Sequence, residues 1–80
     1  MNTLCEEVRQ LIEEINPYVE VKAETRLLEE GVLTSLEIFA LLIALEDKYD
    51  IEVPGEAITR EHFSKIEDIA SLVTVLMRKK

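Results

Sequence analysis

Adjacent hydroxyls at Thr34 and Ser35 stand at the head of an apolar-rich stretch of this chain. Thr34 is followed three residues later by Glu37, the spacing of a capping box at a helix start. With Thr34 as the cap, Ser35 falls in the first helical turn and keeps its hydroxyl free. The unpaired N–H groups and the positive dipole end at that position favour a phosphate, by ~0.3–1 kcal/mol when exposed. A phosphodiester on Ser35 is therefore well placed. Nucleophilic catalysis is not expected, because Ser35 lacks a Gly-x-Ser-x-Gly setting. His62, the only histidine, sits in a short polar turn and reads as a surface residue rather than a general base. Neither His62 nor Cys5 belongs to a metal-ligand cluster, and no carboxylate spacing resembles an EF-hand loop, so no metal site is expected.

The helix that must carry Ser35 runs from about residue 35 to residue 50. On a wheel at about 100° per residue, Ile38, Leu41, Leu42, Leu45 and Tyr49 fall within about 60° of one direction, the expected core face. Leu36, Phe39 and Ile43 occupy a second sector more than about 120° away. Glu46, Asp47 and Asp50 border that sector. A small bundle cannot readily bury both faces of one helix. The second stripe, beginning beside Ser35, is therefore expected to be an exposed apolar strip fringed by carboxylates, as docking surfaces are. The alternative is that Phe39 and its neighbours tuck under a loop.

The other elements frame that helix. Thr3 with Glu6 predicts a capping box, followed by an apolar stripe at Leu4, Val8, Leu11, Ile12 and Ile15 and a stop at Asn16-Pro17. Residues 17–34 show no helical period and form a long loop, with Leu27, Leu28, Val32 and Leu33 pinning it to the core. Tyr18 to Lys22 and Ile51 to Val53 alternate as strands do, yet nothing else in the chain would build a sheet. Pro54-Gly55 marks a turn, and Thr59 caps a single short turn through Phe63. Ser64 with Glu67 predicts a third capping box, opening a helix with Ile66, Ile69, Ala70, Val73, Leu76 and Met77 on one side. That helix ends in Arg78-Lys79-Lys80, cations suited to its dipole. The expected fold is all-α: a small four-helix bundle of three main helices plus one short helix, with a long loop between the first and second helices.

Eighty residues suit one domain, 1–80, which buries only about 60% of its unfolded surface and has little room for a walled cavity. Size alone favours a module on which other proteins act. Seventeen acidic residues against nine basic give a net charge of −8, which repels nucleic acid and anionic membrane. The excess serves solubility or steering towards basic partner surfaces. A single cysteine allows no intramolecular disulfide. No basic, apolar leader and no apolar run of ~20 residues is present, so a cytoplasmic monomer is the expectation.

The run Leu28-Glu29-Glu30-Gly31-Val32-Leu33-Thr34-Ser35-Leu36, followed by residues 44–54, Ala-Leu-Glu-Asp-Lys-Tyr-Asp-Ile-Glu-Val-Pro, resembles acyl carrier proteins. Members carry Asp-Ser-Leu before an acidic, apolar helix that closes with Ala-Leu-Glu, an aromatic and Ile-Pro or Val-Pro. The resemblance covers nearly the whole chain. Residues 58–66 look closest to the D-alanyl and aminoacyl carrier branch. The resemblance implies that Ser35 receives 4′-phosphopantetheine from a transferase using coenzyme A. It also implies that the arm's thiol holds a cargo as a thioester, and that the protein catalyses nothing itself. Leu36 and Ile43 match apolar residues of the partner-recognition helix, and Glu37, Glu46 and Asp47 match its acidic fringe. The implied partners are the phosphopantetheinyl transferase, a ligase loading an acyl or aminoacyl group, and downstream transferases or synthases of fatty-acid, polyketide or nonribosomal-peptide type.

Two positions depart from the pattern. Thr34 stands where the family has Asp, preserving the cap but not the charge, and Ala40 stands where many fatty-acid carriers have an acid. Both departures point to a dedicated small pathway rather than a fatty-acid synthase. They also keep a rival open, a carrier-shaped interaction module that is never modified.

Overall fold

The computed structural model describes residues 3–22, 24–59 and 61–79. Among them are three α-helices, α1 (Thr3–Ile15), α2 (Ser35–Tyr49) and α3 (Ile66–Arg78), and no β-strand. The all-α expectation holds, but the count of four helices does not. The fourth element is only a 3₁₀ turn at Gly55–Ala57, after the predicted Pro54-Gly55 break. The turn expected from Thr59 exists as a hydrogen-bonded loop: Thr59 Oγ1 accepts from the His62 N–H (3.2 Å), and the Thr59 carbonyl accepts from the Phe63 N–H (3.2 Å).

α1 buries Cys5, Val8 and Ile12 and half-buries Leu4, Leu11 and Ile15, as its apolar period dictates. Its start differs from expectation. Thr3 is already helical rather than a cap, what precedes it lies outside the described residues, and Glu6 pairs with the Arg9 guanidinium one turn on. α1 stops before Pro17. The Asn16 side chain then fastens the start of the long loop to its end, accepting from the Tyr18 N–H (3.3 Å) and donating to the Val32 carbonyl (3.4 Å).

The described part of the long loop forms turns and no strand. Val21 is buried and Val19 half-buried, while Glu20 and Lys22 face water, so the strand-like alternation is a real inside–outside pattern without a sheet. Leu27 and Leu33 are buried and share a hydrogen bond (3.0 Å), and the Leu27 N–H donates to the Ser64 carbonyl (2.8 Å). The turn between them ends at Gly31, whose φ of 72° suits a residue without a Cβ. Ile51 and Val53 point inward around exposed Glu52 in the same strandless way.

α3 begins one residue later than predicted. Its cap position is Lys65, which has no side-chain acceptor, so the box is one-sided: Asp68 accepts from the Lys65 N–H (3.2 Å). The Ser64 carbonyl is instead engaged with the long loop. Ile66, Ile69, Ala70, Leu72 and Val73 are buried. Met77, expected on the apolar side of the helix, is exposed beside Thr3, Tyr49 and Arg78, and Leu72, not among the expected residues, is buried. Phe63 is the largest wholly buried side chain. α1 and α2 are further joined by the Tyr49 hydroxyl, which donates to the Glu7 carboxylate (2.6 Å). Burial first, then that bond and the Glu7 charge, push the Tyr49 pKa above its ordinary value.

Candidate functional site

The start of α2 is built by Thr34. Its backbone is extended (φ −82°, ψ 171°), its Oγ1 accepts from the Glu37 N–H (3.2 Å), and Glu37 Oε1 accepts from the Thr34 N–H (2.9 Å). The predicted capping box is thus complete without Ser35. Ser35 is exposed, in the first turn, at the end of the helix where N–H groups have no carbonyl one turn back.

From Ser35 the two faces of α2 part as the wheel requires. Ile38, Leu41, Leu42 and Leu45 are buried. Leu36, Phe39 and Ile43 stay 82%, 55% and 64% exposed, and Ala40 and Asp47 are exposed with them. These positions follow i, i+3, i+4, i+7 and i+11, so they form one continuous apolar strip ending in a carboxylate. Phe39 does not tuck under the long loop. Its ring lines a surface pocket of about 170 Å³ together with Leu28, Ser35, Ile38 and Ile58.

The acidic fringe is less free than its position on the wheel implies. Glu46 is half-buried, and its carboxylate accepts from the Val53 N–H (2.9 Å), which clamps the segment after α2. Its carbonyl accepts from the N–H of Asp50, the left-handed residue (φ 52°) that ends the helix. Glu37 is half-buried in the capping box. Of the three predicted fringe residues Glu37, Glu46 and Asp47, Asp47 alone is exposed.

The convergence of Leu28 and Ile58 on Ser35 is not legible in the sequence: Leu28 reads only as a loop anchor and Ile58 as one apolar residue after a turn. His62 is exposed, with its Nδ1 2.8 Å from Thr59 Oγ1. Among the described residues no three His, Cys, Asp or Glu side chains gather as metal ligands, and no helix is long and apolar enough to cross a membrane.

No protein-family model matches the chain. It is 34% identical over 58 residues to an acyl carrier protein of Campylobacter lari, covering 72% of this chain and 73% of that one. It is 36% identical over 73 residues to a D-alanyl carrier protein of Listeria welshimeri, covering 89% of this chain and 94% of that one. A chain of the Bradyrhizobium japonicum glycine:[carrier protein] ligase complexed with glycylated carrier protein superposes with a TM-score of 0.78 over 89% of this chain and 99% of its own length. At 20% identity that likeness concerns the fold. A second complex of that ligase, with its cognate carrier protein and an analogue of glycyl adenylate, matches at a TM-score of 0.70 and 25% identity over 90% of this chain and 92% of the other. With more than two thirds of its length aligned above 30% identity to such relatives, the chain belongs to the acyl carrier protein family.

Proposed function

We propose that this chain is a carrier whose Ser35 bears 4′-phosphopantetheine, transferred from coenzyme A by a phosphopantetheinyl transferase, and that it presents an aminoacyl cargo to partner enzymes. One observation carries the reading: an exposed serine in the first turn of α2, relieved of capping by Thr34, at the head of an exposed apolar strip. The Ser35 oxygen is the acceptor of the phosphoryl group, with adenosine bisphosphate as the leaving group. Nearby first-turn N–H groups and the helix dipole favour the phosphodiester that results. Once attached, the arm supplies a terminal thiol that holds cargo as a thioester.

The chain's own residues bind and orient, and in this reading it catalyses nothing. Leu36, Phe39, Ala40 and Ile43 present apolar surface to transferase and ligase. Asp47 marks the exposed acidic end of that strip, with Glu37 and Glu46 adding their field from within the fold. An aminoacyl rather than a long acyl cargo is favoured because the D-alanyl carrier aligns over 94% of its length and the acyl carrier over 73%. The carrier fold also superposes on a complex with a glycine ligase. Thr34, where the family's motif has Asp, favours the second reading, an unmodified interaction module.

Intact mass separates the two readings. Coenzyme A with a broad-specificity transferase is expected to add one phosphopantetheine. A glycine- or D-alanine-activating ligase is then expected to add one residue that hydroxylamine removes. A chain whose mass never changes supports the unmodified module and contradicts the carrier.

A further inference from the structure

Three segments meet around Ser35. Leu28 comes from the long loop, Ile38 and Phe39 from α2, and Ile58 from just beyond the 3₁₀ turn; together with Ser35 they line the open pocket of about 170 Å³. Local hydrogen bonds place these walls. The Gly31 N–H donates to the Leu28 carbonyl (3.2 Å), and the Ile58 N–H donates to the Gly55 carbonyl (3.1 Å). Four of the five walls are apolar side chains, and the only polar side chain in the lining is the Ser35 hydroxyl itself.

We infer that this pocket receives the paired methyl groups of the pantoyl unit of the arm, a placement that rests on Ser35 being the attachment site. The arm's chemistry selects that group. Beyond the phosphate come one methylene and a quaternary carbon bearing two methyls; then come a hydroxyl, two amides and the thiol. The quaternary carbon lies four bonds from the phosphorus-linked serine oxygen, about 5 Å at ordinary bond lengths. A pocket that has Ser35 as a wall is within that reach, whereas the cargo at the far end is many bonds away. The hydroxyl and amides have no place there, because burying them without hydrogen-bond partners is unfavourable. At about 30 Å³ for each water-sized group, the pocket holds about five or six, enough for the dimethyl carbon and its methylene.

Phe39 then has two neighbours, with one part of its ring lining the pocket and the rest in the exposed strip. The arm leaves Ser35 in a preferred direction, its first apolar group seated and its polar remainder in water.

The test is NMR on isotope-labelled protein, converted with coenzyme A and checked by mass. Cross-peaks are expected between the arm's methyl pair and the methyls of Leu28 and Ile58 and the ring of Phe39, with conversion shifting those protein signals most. Ile58 is 36% exposed, so Ile58→Gln leaves the core intact; it should erase the cross-peaks while Ser35 still converts fully. An arm analogue lacking the two methyls should leave the Leu28 and Ile58 signals at their unmodified positions. A converted chain whose arm methyls show no cross-peaks and resonate as in free coenzyme A overturns the pocket assignment alone. A chain that gains no mass overturns the attachment site and the pocket assignment with it.

Discussion

Truncating Phe39 and Leu41, two residues apart on α2, should damage different properties. Leu41 is fully buried, so Leu41→Ala loses transfer energy and leaves a cavity, together costing ~2–5 kcal/mol. Phe39 is 55% exposed; with less than half of a side chain worth ~1.5–3 kcal/mol removed from water, Phe39→Ala should cost about 1 kcal/mol. A domain of 80 residues has roughly 4–12 kcal/mol in total, so the first change takes a large share of it and the second a small one. Urea titrations followed by circular dichroism read both losses, provided the slopes stay equal. Transferase conversion of Ser35, measured where every variant is folded, should slow for Phe39→Ala and be unchanged for Leu41→Ala. Equal stability losses would show the Phe39 stripe to be core, and a Phe39→Ala variant converting at the wild-type rate would remove the strip from docking.

The remaining predictions concern charge and capping. Thr34→Asp keeps an acceptor for the Glu37 N–H and adds a charge the dipole favours by at most ~1 kcal/mol, so melts should barely move, while Thr34→Ala should cost ~1 kcal/mol. If a typical transferase uses the missing carboxylate, Thr34→Asp converts faster than wild type; equal rates would show the charge dispensable. Glu46→Gln retains an acceptor for the Val53 N–H and should melt as wild type, whereas Glu46→Ala should lose ~1 kcal/mol. Glu46→Gln and Asp47→Lys should both slow partner association at low salt and less so near 1 M, where the Debye length is ~3 Å; rates indifferent to both would leave the −8 charge with no part in docking. Because folding raises the Tyr49 pKa, the unfolded chain releases that proton first, so the stability that Tyr49 contributes should be fully present below pH ~10 and be lost as pH rises above it. Tyr49→Phe should flatten that alkaline decline, and an unchanged slope would place its origin elsewhere.

The features legible in the residues are local or periodic. Thr34 and Glu37 lie three apart and satisfy each other, and α2 has two apolar sectors because a wheel is a property of the helix alone. The alternation of Val19, Val21, Ile51 and Val53 is also genuine, yet period two reports sidedness rather than pairing, and no partner strand exists among the described residues. α3 starts one residue beyond its sequence signal because the Ser64 carbonyl is engaged by Leu27, 37 positions earlier, which no local pattern announces. Glu46 reaching Val53 and Tyr49 reaching Glu7 are of the same kind. So is the pocket at Ser35, whose walls come from positions 28, 38, 39 and 58. Met77 keeps its helical period but stays exposed in an open hollow beside Thr3 and Tyr49.

The attachment site itself is tested most directly by mass spectrometry of wild type and Ser35→Ala after incubation with coenzyme A and a broad-specificity transferase, followed by fragmentation of the converted chain. Ser35 is exposed and outside the capping box, so the alanine variant should fold as wild type and any loss of modification is a loss of the acceptor. One phosphopantetheine on the wild type, located at Ser35, with none on Ser35→Ala, is the predicted result. Modification of the alanine variant, or of another serine such as Ser64, would contradict the assignment.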